Sequence, residues 1–227
     1  MGTVEDHLIN MKKLISFCEE KYGRTPGSVQ LLAASKRQPI HKIKAAHHAG
    51  QLSFGENYVQ EALIKMALLA PLHLEWHFIG PVQSNKASKI AEHFAWVHSV
   101  TSKKIAKRLN DKRPSHLPPL NICIEVNVSN EPNKAGIPIA EVKELAEYCQ
   151  TLPALKLRGL MAIPLQTEHV NHQHEEFHKL SVLFQTLKQQ GFDIDTLSMG
   201  MTDDFEAAIA EGSTMLRIGR GIFGERL

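Results

Sequence analysis

The fold of this chain is decided by the segment Val29-Gln30-Leu31-Leu32-Ala33-Ala34-Ser35-Lys36 and by Pro39 just after it. The short apolar run is typical of a buried strand, and a proline suits the start of a helix. That helix extends through Ile43 and Ala46 to a stop at Gly50. A buried strand followed at once by an amphipathic helix is the building unit of α/β proteins.

The same unit recurs almost to the end of the chain. We predict strands over residues 29–35, 52–55, 74–80, 95–100, 120–128, 155–163, 196–199 and 214–218, with helices between them and one more helix over residues 4–20. Regular alternation implies parallel strands joined by right-handed crossovers, and eight units favour a closed (β/α)8 barrel of the TIM type. An open, doubly wound sheet is the alternative. Since 43% of the 227 residues are apolar, we expect one domain spanning residues 1–227.

Composition argues against several classes of function. The formal net charge is only +2, without the clustered cations that nucleic-acid binding needs. Cys18, Cys123 and Cys149 are odd in number, which indicates buried thiols of a reducing compartment rather than a disulfide framework. No apolar run approaches the ~20 residues of a membrane span, and the amino terminus has no signal-peptide core. We therefore expect a cytoplasmic protein that binds neither nucleic acid nor membrane.

Closure of the barrel would bring distant segments to one rim. Lys36 ends the first predicted strand, Ser198-Met199-Gly200-Met201 follows the seventh, and Gly219-Arg220 follows the eighth. In a closed barrel the first and last strands are neighbours, and phosphates bind at the loops after strands seven and eight. The order of the elements therefore predicts a lysine amine beside a phosphate site.

Each of these residues has a chemical task in such a site. A partly buried lysine loses proton affinity, which frees its amine to attack an aldehyde. Ser198 offers a hydroxyl, and Gly200 and Gly219 allow backbone N–H groups to approach a phosphate. We expect Arg217, two residues before Gly219, to project inward, where it would meet the ring nitrogen of a bound cofactor and keep that nitrogen unprotonated. An amine facing a phosphate cradle is the arrangement that pyridoxal phosphate requires.

Simpler interpretations of the same residues stay open at this stage. A lysine at a strand end usually faces solvent, and Arg217 has Asp203 and Glu225 as alternative ion-pair partners. We also expect Thr202 or Asp203 to cap the helix that follows, whose N-terminus would add partial positive charge near the phosphate.

One string imitates a metal site. His174-Glu175-Glu176-Phe177-His178 matches the H-E-x-x-H zinc signature. Phe177, Leu180 and Phe184 define the core face of this predicted helix, so both histidines point toward solvent, and zinc catalysis needs a cleft and a third ligand. We therefore predict no functional metal site.

Motifs along nearly the whole chain resemble one known family. They are Ala34-Ser35-Lys36, Phe54-Gly55-Glu56-Asn57-Tyr58-Val59-Gln60-Glu61, Trp76-His77-Phe78-Ile79-Gly80, Gln83-x-Asn85-Lys86, Glu125-Val126-Asn127, Gly159-Leu160-Met161, Ser198-Met199-Gly200-Met201-x-Asp203 and Arg217-Ile218-Gly219-x-x-Ile222-Phe223-Gly224. In combination they resemble the pyridoxal phosphate homeostasis proteins, the family of bacterial YggS and animal PROSC.

The resemblance implies a barrel like the amino-terminal domain of alanine racemase, with pyridoxal 5'-phosphate bound as an internal aldimine on Lys36. It implies phosphate contacts from Ser198, Gly200, Gly219 and Arg220, Arg217 at the ring nitrogen, and a pocket lined by Asn57, His77 and Met161. Arg220 departs from the threonine or serine that many members carry, which is harmless if that position binds phosphate through its backbone N–H.

The resemblance also implies a carrier rather than an enzyme. Related racemases need a second, β-rich domain and a tyrosine from a partner subunit, and we expect neither here. The implied function is storage, delivery or buffering of pyridoxal phosphate, by a monomer whose partners would include apo-forms of pyridoxal phosphate enzymes. A small amino-acid racemase or a cofactor-free isomerase of a phosphorylated metabolite is the alternative, and Lys36 would be the general base of such an isomerase.

Overall fold

Eight parallel strands close into a barrel in chain order, and the computed structural model describes residues 2–129, 131, 134–164, 167 and 169–224. The strands are β1 Gln30–Ala34, β2 Ser53–Glu56, β3 Glu75–Phe78, β4 Trp96–Val100, β5 Leu120–Glu125, β6 Leu155–Met161, β7 Thr196–Ser198 and β8 Met215–Ile218. The helices are α1 Val4–Lys21, α2 Ile40–His48, α3 Val59–Leu68, α4 Ala87–His93, α5 Lys103–Lys112, α6 Ile139–Gln150, α7 Val170–Gln189, α8 Phe205–Ala210 and α9 Arg220–Phe223.

The pairing of β1 with β8 closes the barrel. Their register runs from Gln30 opposite Met215 to Ala33 opposite Ile218. The predicted barrel is therefore confirmed, and the open sheet is wrong. Closure places the end of β1, and Lys36 just beyond it, beside the end of β8, where barrel proteins build their sites.

The ends of the elements differ from the prediction at points that matter for the site. The segment after β8 forms the short helix α9, which the sequence pattern does not predict. Helix α8 begins after Asp204, whose side chain makes no capping bond, so neither Thr202 nor Asp203 caps it. Instead, Thr202 Oγ1 accepts a hydrogen bond of 3.1 Å from the backbone N–H of Gly221, which ties the loop after β7 to α9.

The apolar core lies mainly between the barrel and its helices. Its largest fully buried side chains include Phe54, Phe78 and Phe177. Burial of such aromatic side chains supplies most of the driving force for folding. Inside the barrel the apolar groups are smaller: one is Leu32, Ala34, Ile79 and Met215, and another is Trp96, Cys123 and Met161. The strands also bury the polar side chains of His77, His98, Ser198 and Arg217, which is unusual for a barrel core.

Helix α1 covers the closing seam of the barrel and packs against α2, α8 and α9. His7 Nδ1 lies 3.2 Å from the carbonyl of Ile222, and Lys42 Nζ donates 2.7 Å to the carbonyl of Phe223. These contacts hold the short helix α9 in place. Among the helices of the described residues, none is long and apolar enough to cross a membrane.

Candidate functional site

A cavity of about 410 Å³ opens at the carboxyl ends of the strands. Its lining includes Lys36, Asn57, Arg217, Gly219 and Arg220, all of which the sequence predicts as site residues. Other lining residues are Ala34, Gln38, Ile79, Ile163, Thr167, Gln173, Met201, Thr202, Asp203, Asp204 and Gly224. The structure thus brings the lysine at the end of β1 and the arginine of β8 to one cavity.

The backbone on both sides of Lys36 is held by a buried ion cluster. Lys65 of α3 donates to the carbonyl of Ser35 at 2.8 Å, to Glu56 Oε1 at 2.7 Å and to Glu61 Oε1 at 2.6 Å. Ser35 Oγ donates to Glu56 Oε1 at 2.6 Å, and the N–H of Arg37 donates to Glu61 Oε1 at 2.6 Å. We call Lys65, Glu56 and Glu61 the lysine clamp, because they fix the chain immediately before and after Lys36.

The clamp also explains a strained residue. Arg37 has φ 59°, a left-handed conformation that non-glycine residues rarely adopt. Its N–H bond to Glu61 offsets part of that cost. Burial raises the pKa of the Glu56 carboxyl, and the Lys65 ammonium opposes that rise. The lysine clamp therefore fixes the backbone around Lys36. The sequence does not predict the clamp, because a lysine on a helix usually faces solvent.

Arg217 reaches the cavity from the floor of the barrel, where 5% of its surface is exposed. Its Nη1 donates to the carbonyl of Ser198 at 2.6 Å and to Ser198 Oγ at 2.9 Å, and its Nη2 donates to the carbonyl of Ala162 at 2.8 Å. Burial lowers the pKa of Arg217 to about 10, so the guanidinium stays charged at neutral pH. The ion pairs with Asp203 or Glu225 that the sequence left open are not needed to explain it: Asp203 pairs with Arg220, and Glu225 lies outside the described residues.

Asn57 follows β2, which is separated from β8 only by β1, and it also lines the cavity. Its Oδ1 is buried and has no hydrogen-bond partner within the part of the chain that the structure describes. Gly80 makes the close approach possible, because a Cβ there would lie 2.4 Å from the carbonyl oxygen of Asn57. A buried acceptor without a donor in the protein is the kind of group that a ligand satisfies.

The loops after β7 and β8 form the remaining wall. Thr202, Asp203, Gly219 and Arg220 line the cavity together, and Arg220 makes an ion pair with Asp203. The sequence places Thr202 in the phosphate-binding segment after β7 but predicts only that it caps the next helix, whereas in the structure it lines the cavity. The loop after β7 is where phosphates bind in barrels.

The cavity lining does not include the other predicted site residues, which are His77, Met161, Ser198 and Gly200. Met161 packs inside the barrel with Trp96 and Cys123. Gly200 has φ +96°, and a Cβ there would lie 2.6 Å from that of Ala208, so this glycine serves the turn from β7 toward α8.

His77 and Ser198 belong to a polar file that sequence reasoning missed. His77 Nε2 lies 2.8 Å from Glu75 Oε1, and His77 Nδ1 lies 3.0 Å from His98 Nε2. His98 Nδ1 lies 3.0 Å from Ser198 Oγ, which accepts the bond from Arg217. Alternation along β3 and β4 turns both histidines inward, but no motif indicates that they meet.

The string that matches the zinc signature lies on α7. His174 Nδ1 and His178 Nδ1 lie 2.8 and 2.9 Å from the two carboxylate oxygens of Glu211, and the side chains are 33% and 65% exposed. Both histidines therefore face Glu211, at the end of α8, and His174 is half-buried there, whereas the sequence predicts that both point toward solvent. Within the described residues no cluster of histidine, cysteine and acidic side chains has the geometry to hold a metal ion.

Comparison with known proteins relates the chain to one family along its length. The profile described as alanine racemase, N-terminal domain, matches residues 24–227. A curated protein named pyridoxal phosphate homeostasis protein, from Vibrio alginolyticus, is 52% identical over 230 residues, which cover 100% of this chain and 99% of that protein.

Solved structures agree with these relatives. PipY of Synechococcus elongatus PCC7942, described with PLP bound, is 36% identical with a TM-score of 0.83, covering 98% of this chain and 100% of that chain. Alanine racemase from Bacillus anthracis is only 17% identical, with a TM-score of 0.71 over 98% of this chain and 56% of that chain. The second similarity concerns the fold alone.

Proposed function

This chain belongs to the family of pyridoxal phosphate homeostasis proteins, and on that premise we propose that it carries pyridoxal 5'-phosphate without turning over a substrate. The observation that supports the proposal most is that Lys36 and Arg217 line one cavity. The amine would bind the aldehyde of the cofactor, and the fixed cation would contact its ring nitrogen on the opposite side of the ring.

The cavity fits the cofactor in size and chemistry. Its volume of about 410 Å³ lies within the range of about 300–1,000 Å³ typical of small-molecule sites. The unpartnered Oδ1 of Asn57 is an acceptor, and the ring hydroxyl of pyridoxal phosphate is a donor. The cofactor, when bound, supplies the aldehyde with which an amine can react.

Lys36 would hold the cofactor covalently. Its amine, once deprotonated, would be the nucleophile toward the aldehyde of the cofactor, in a condensation that releases one water. The reverse reaction, with water or another amine as the attacking group, releases the cofactor intact. A reversible bond of this kind suits storage and delivery, and the lysine clamp keeps Lys36 in position through each cycle.

Arg217 would face the ring nitrogen. Because the guanidinium is charged and can only donate, it holds that nitrogen unprotonated and so weakens the cofactor as an electron sink. Its bonds to Ser198 and Ala162 keep it from turning away. Racemisation would need, in addition to the base, an acid on the second face of the cofactor.

The phosphate would lie against the loops after β7 and β8. We propose that the Thr202 hydroxyl and the backbone of Gly219 and Arg220 contact it. Ser198 would contribute indirectly by holding Arg217, and Gly200 by shaping the turn after β7. Arginine at position 220 keeps the backbone N–H that threonine or serine would offer, and its side chain pairs with Asp203.

Transfer of the cofactor tests this function. Protein loaded with pyridoxal phosphate should turn yellow and restore activity to an added apo-enzyme of the pyridoxal phosphate class. It should form no D-amino acid from common L-amino acids. Sustained racemisation that disappears in Lys36→Ala would contradict the carrier proposal, and the exposed Lys44→Ala protein is the matched control.

A further inference from the structure

A file of hydrogen-bonded polar side chains crosses the barrel interior beneath the cavity. It starts at Glu75, passes through His77, His98 and Ser198, and ends at Arg217; we call it the interior file. Only Glu75 is exposed, with 48% of its side chain accessible. Polar groups buried in a core are costly unless each one is satisfied, so the arrangement of protons along the file matters.

The partners leave one arrangement of protons for neutral histidines. The Glu75 carboxylate can only accept, so His77 Nε2 carries the proton and His77 Nδ1 is an acceptor. His98 Nε2 must then donate to His77, which makes His98 Nδ1 an acceptor for the Ser198 hydroxyl. The oxygen of Ser198 is left to accept from Arg217. Every donor and acceptor in the file then has a partner, and all four hydrogen bonds are donated in the direction from Arg217 toward Glu75.

Both ends of the file enforce that direction. A guanidinium cannot accept a hydrogen bond, and an ionised carboxylate cannot donate one. The hydrogen bond from His77 lowers the pKa of Glu75, which keeps the carboxylate ionised. Burial lowers the pKa of His77 and lowers that of His98 well below its ordinary value, so both rings are neutral at physiological pH. Stacking on Trp96, with centroids 5.2 Å apart, fixes the His77 ring.

We infer that Glu75, His77 and His98 are positioning residues of the cofactor site, because they turn the Ser198 hydroxyl away from Arg217. The Ser198 oxygen then accepts an N–H of the guanidinium and holds Arg217 against the cavity wall. The inference rests on the proposed function, in which Arg217 faces the cofactor ring. It assigns His77 an action through His98 and not a place in the pocket.

The proton arrangement can be measured without cofactor. Long-range proton–nitrogen NMR spectra of the full-length, histidine-labelled protein distinguish the two neutral tautomers of each ring. His77 and His98 should both carry the proton on Nε2, at pH 7, before and after addition of pyridoxal phosphate, with signals identified by their loss in His77→Gln and His98→Gln. A proton on Nδ1 of either ring would overturn the inference, whether or not the protein binds cofactor.

Variants of His98 test the consequence. Phenylalanine fills the site but removes both bonds, whereas glutamine again offers one donor and one acceptor. The loaded His98→Phe protein should release cofactor at least about tenfold faster than wild type, as expected when a charge-assisted bond weakens, and its visible absorbance should shift. His98→Gln should restore both readouts, and the exposed His116→Phe is the control.

The possible outcomes separate the two proposals. A folded His98→Phe protein with wild-type release and absorbance would overturn the inference while leaving the carrier function intact. If His98→Phe does not fold, two other measurements test the inference. The wild-type rings should carry their protons on Nε2, and His98→Gln should release cofactor at the wild-type rate; either result failing would overturn the inference. A wild-type protein that takes up no pyridoxal phosphate would refute the proposed function, and the positioning role would fall with it even if the tautomers are as assigned.

Discussion

The lysine clamp makes a strong prediction about stability. In Lys65→Met, the ammonium that contacts Ser35, Glu56 and Glu61 is replaced by an apolar side chain of similar length. The side chains of Lys65 and Glu56 are 6% and 0% exposed, so the Glu56 carboxylate would stay buried without its cation. Breaking a buried ion pair from one side costs about 3–5 kcal/mol, and we expect that loss in the free energy of unfolding at pH 8.

The direction of the pH effect follows from Glu56. Its pKa is already raised by burial, and removal of Lys65 raises it further. A proton taken up by the folded variant relieves the unpaired charge, so the difference from wild type should shrink as the pH falls from 8 toward 5.5. Lys65→Met/Glu56→Gln removes the buried carboxylate and leaves only the partly exposed Glu61 carboxylate without its cation, so it should recover more than half of the loss at pH 8.

Urea unfolding followed by circular dichroism, with Lys44→Met as an exposed control, measures these differences. Cofactor release from loaded protein should also be faster in Lys65→Met, because the chain on both sides of Lys36 loses its anchor. A Lys65→Met protein destabilised by less than about 1 kcal/mol, the median worth of a surface pair, would refute the reasoning. So would a double variant less stable than the single one.

Three further outcomes are expected. Because burial lowers the pKa of His98, stability should fall as the pH drops below 6.5, by up to about 1.4 kcal/mol per pH unit for each such ring; His98→Gln should flatten this slope in urea unfolding between pH 6.5 and 5, and an unchanged slope would contradict the neutral assignment. Pyridoxal without its phosphate should bind tens of times more weakly than the cofactor, since charge-assisted bonds contribute about 1.5–3 kcal/mol each. In fluorescence titrations, Thr202→Val should reduce the ratio of the two affinities, and equal affinities in wild type would show that the phosphate site is misplaced. His174→Gln/His178→Gln should leave the cofactor spectrum unchanged and cost at most about 1 kcal/mol, the scale of exposed ion pairs, whereas loss of cofactor would show that these histidines serve the site.

The sequence predicts the barrel and its rim because both follow from order along the chain. Alternating strands and helices determine a parallel barrel, and closure then brings Lys36, Arg217 and Gly219 to one cavity. The family resemblance predicted from motifs is also confirmed by full-length relatives. These features depend on periodicity and topology, which local sequence carries well.

Contacts between side chains of different elements could not be predicted from the sequence in the same way. Lys65 lies on a helix, where a lysine normally faces water, and only the structure shows it buried over Ser35. His77 and His98 are inward on neighbouring strands, but their contact depends on the register of β3 and β4 and on the tilt of the barrel. Thr202 was assigned to a cap because the start of α8 was predicted too early.

The central claim is that Lys36 is the residue that carries pyridoxal phosphate. Loaded protein treated with borohydride, digested and mapped by mass spectrometry should carry one reduced phosphopyridoxyl group on the peptide containing Lys36. The absorbance of the loaded protein near the visible edge should disappear on reduction. Lys36→Ala should lose the adduct, and Lys44→Ala should keep it. An adduct that persists in Lys36→Ala, or that maps to another lysine in the wild-type protein, would contradict the account.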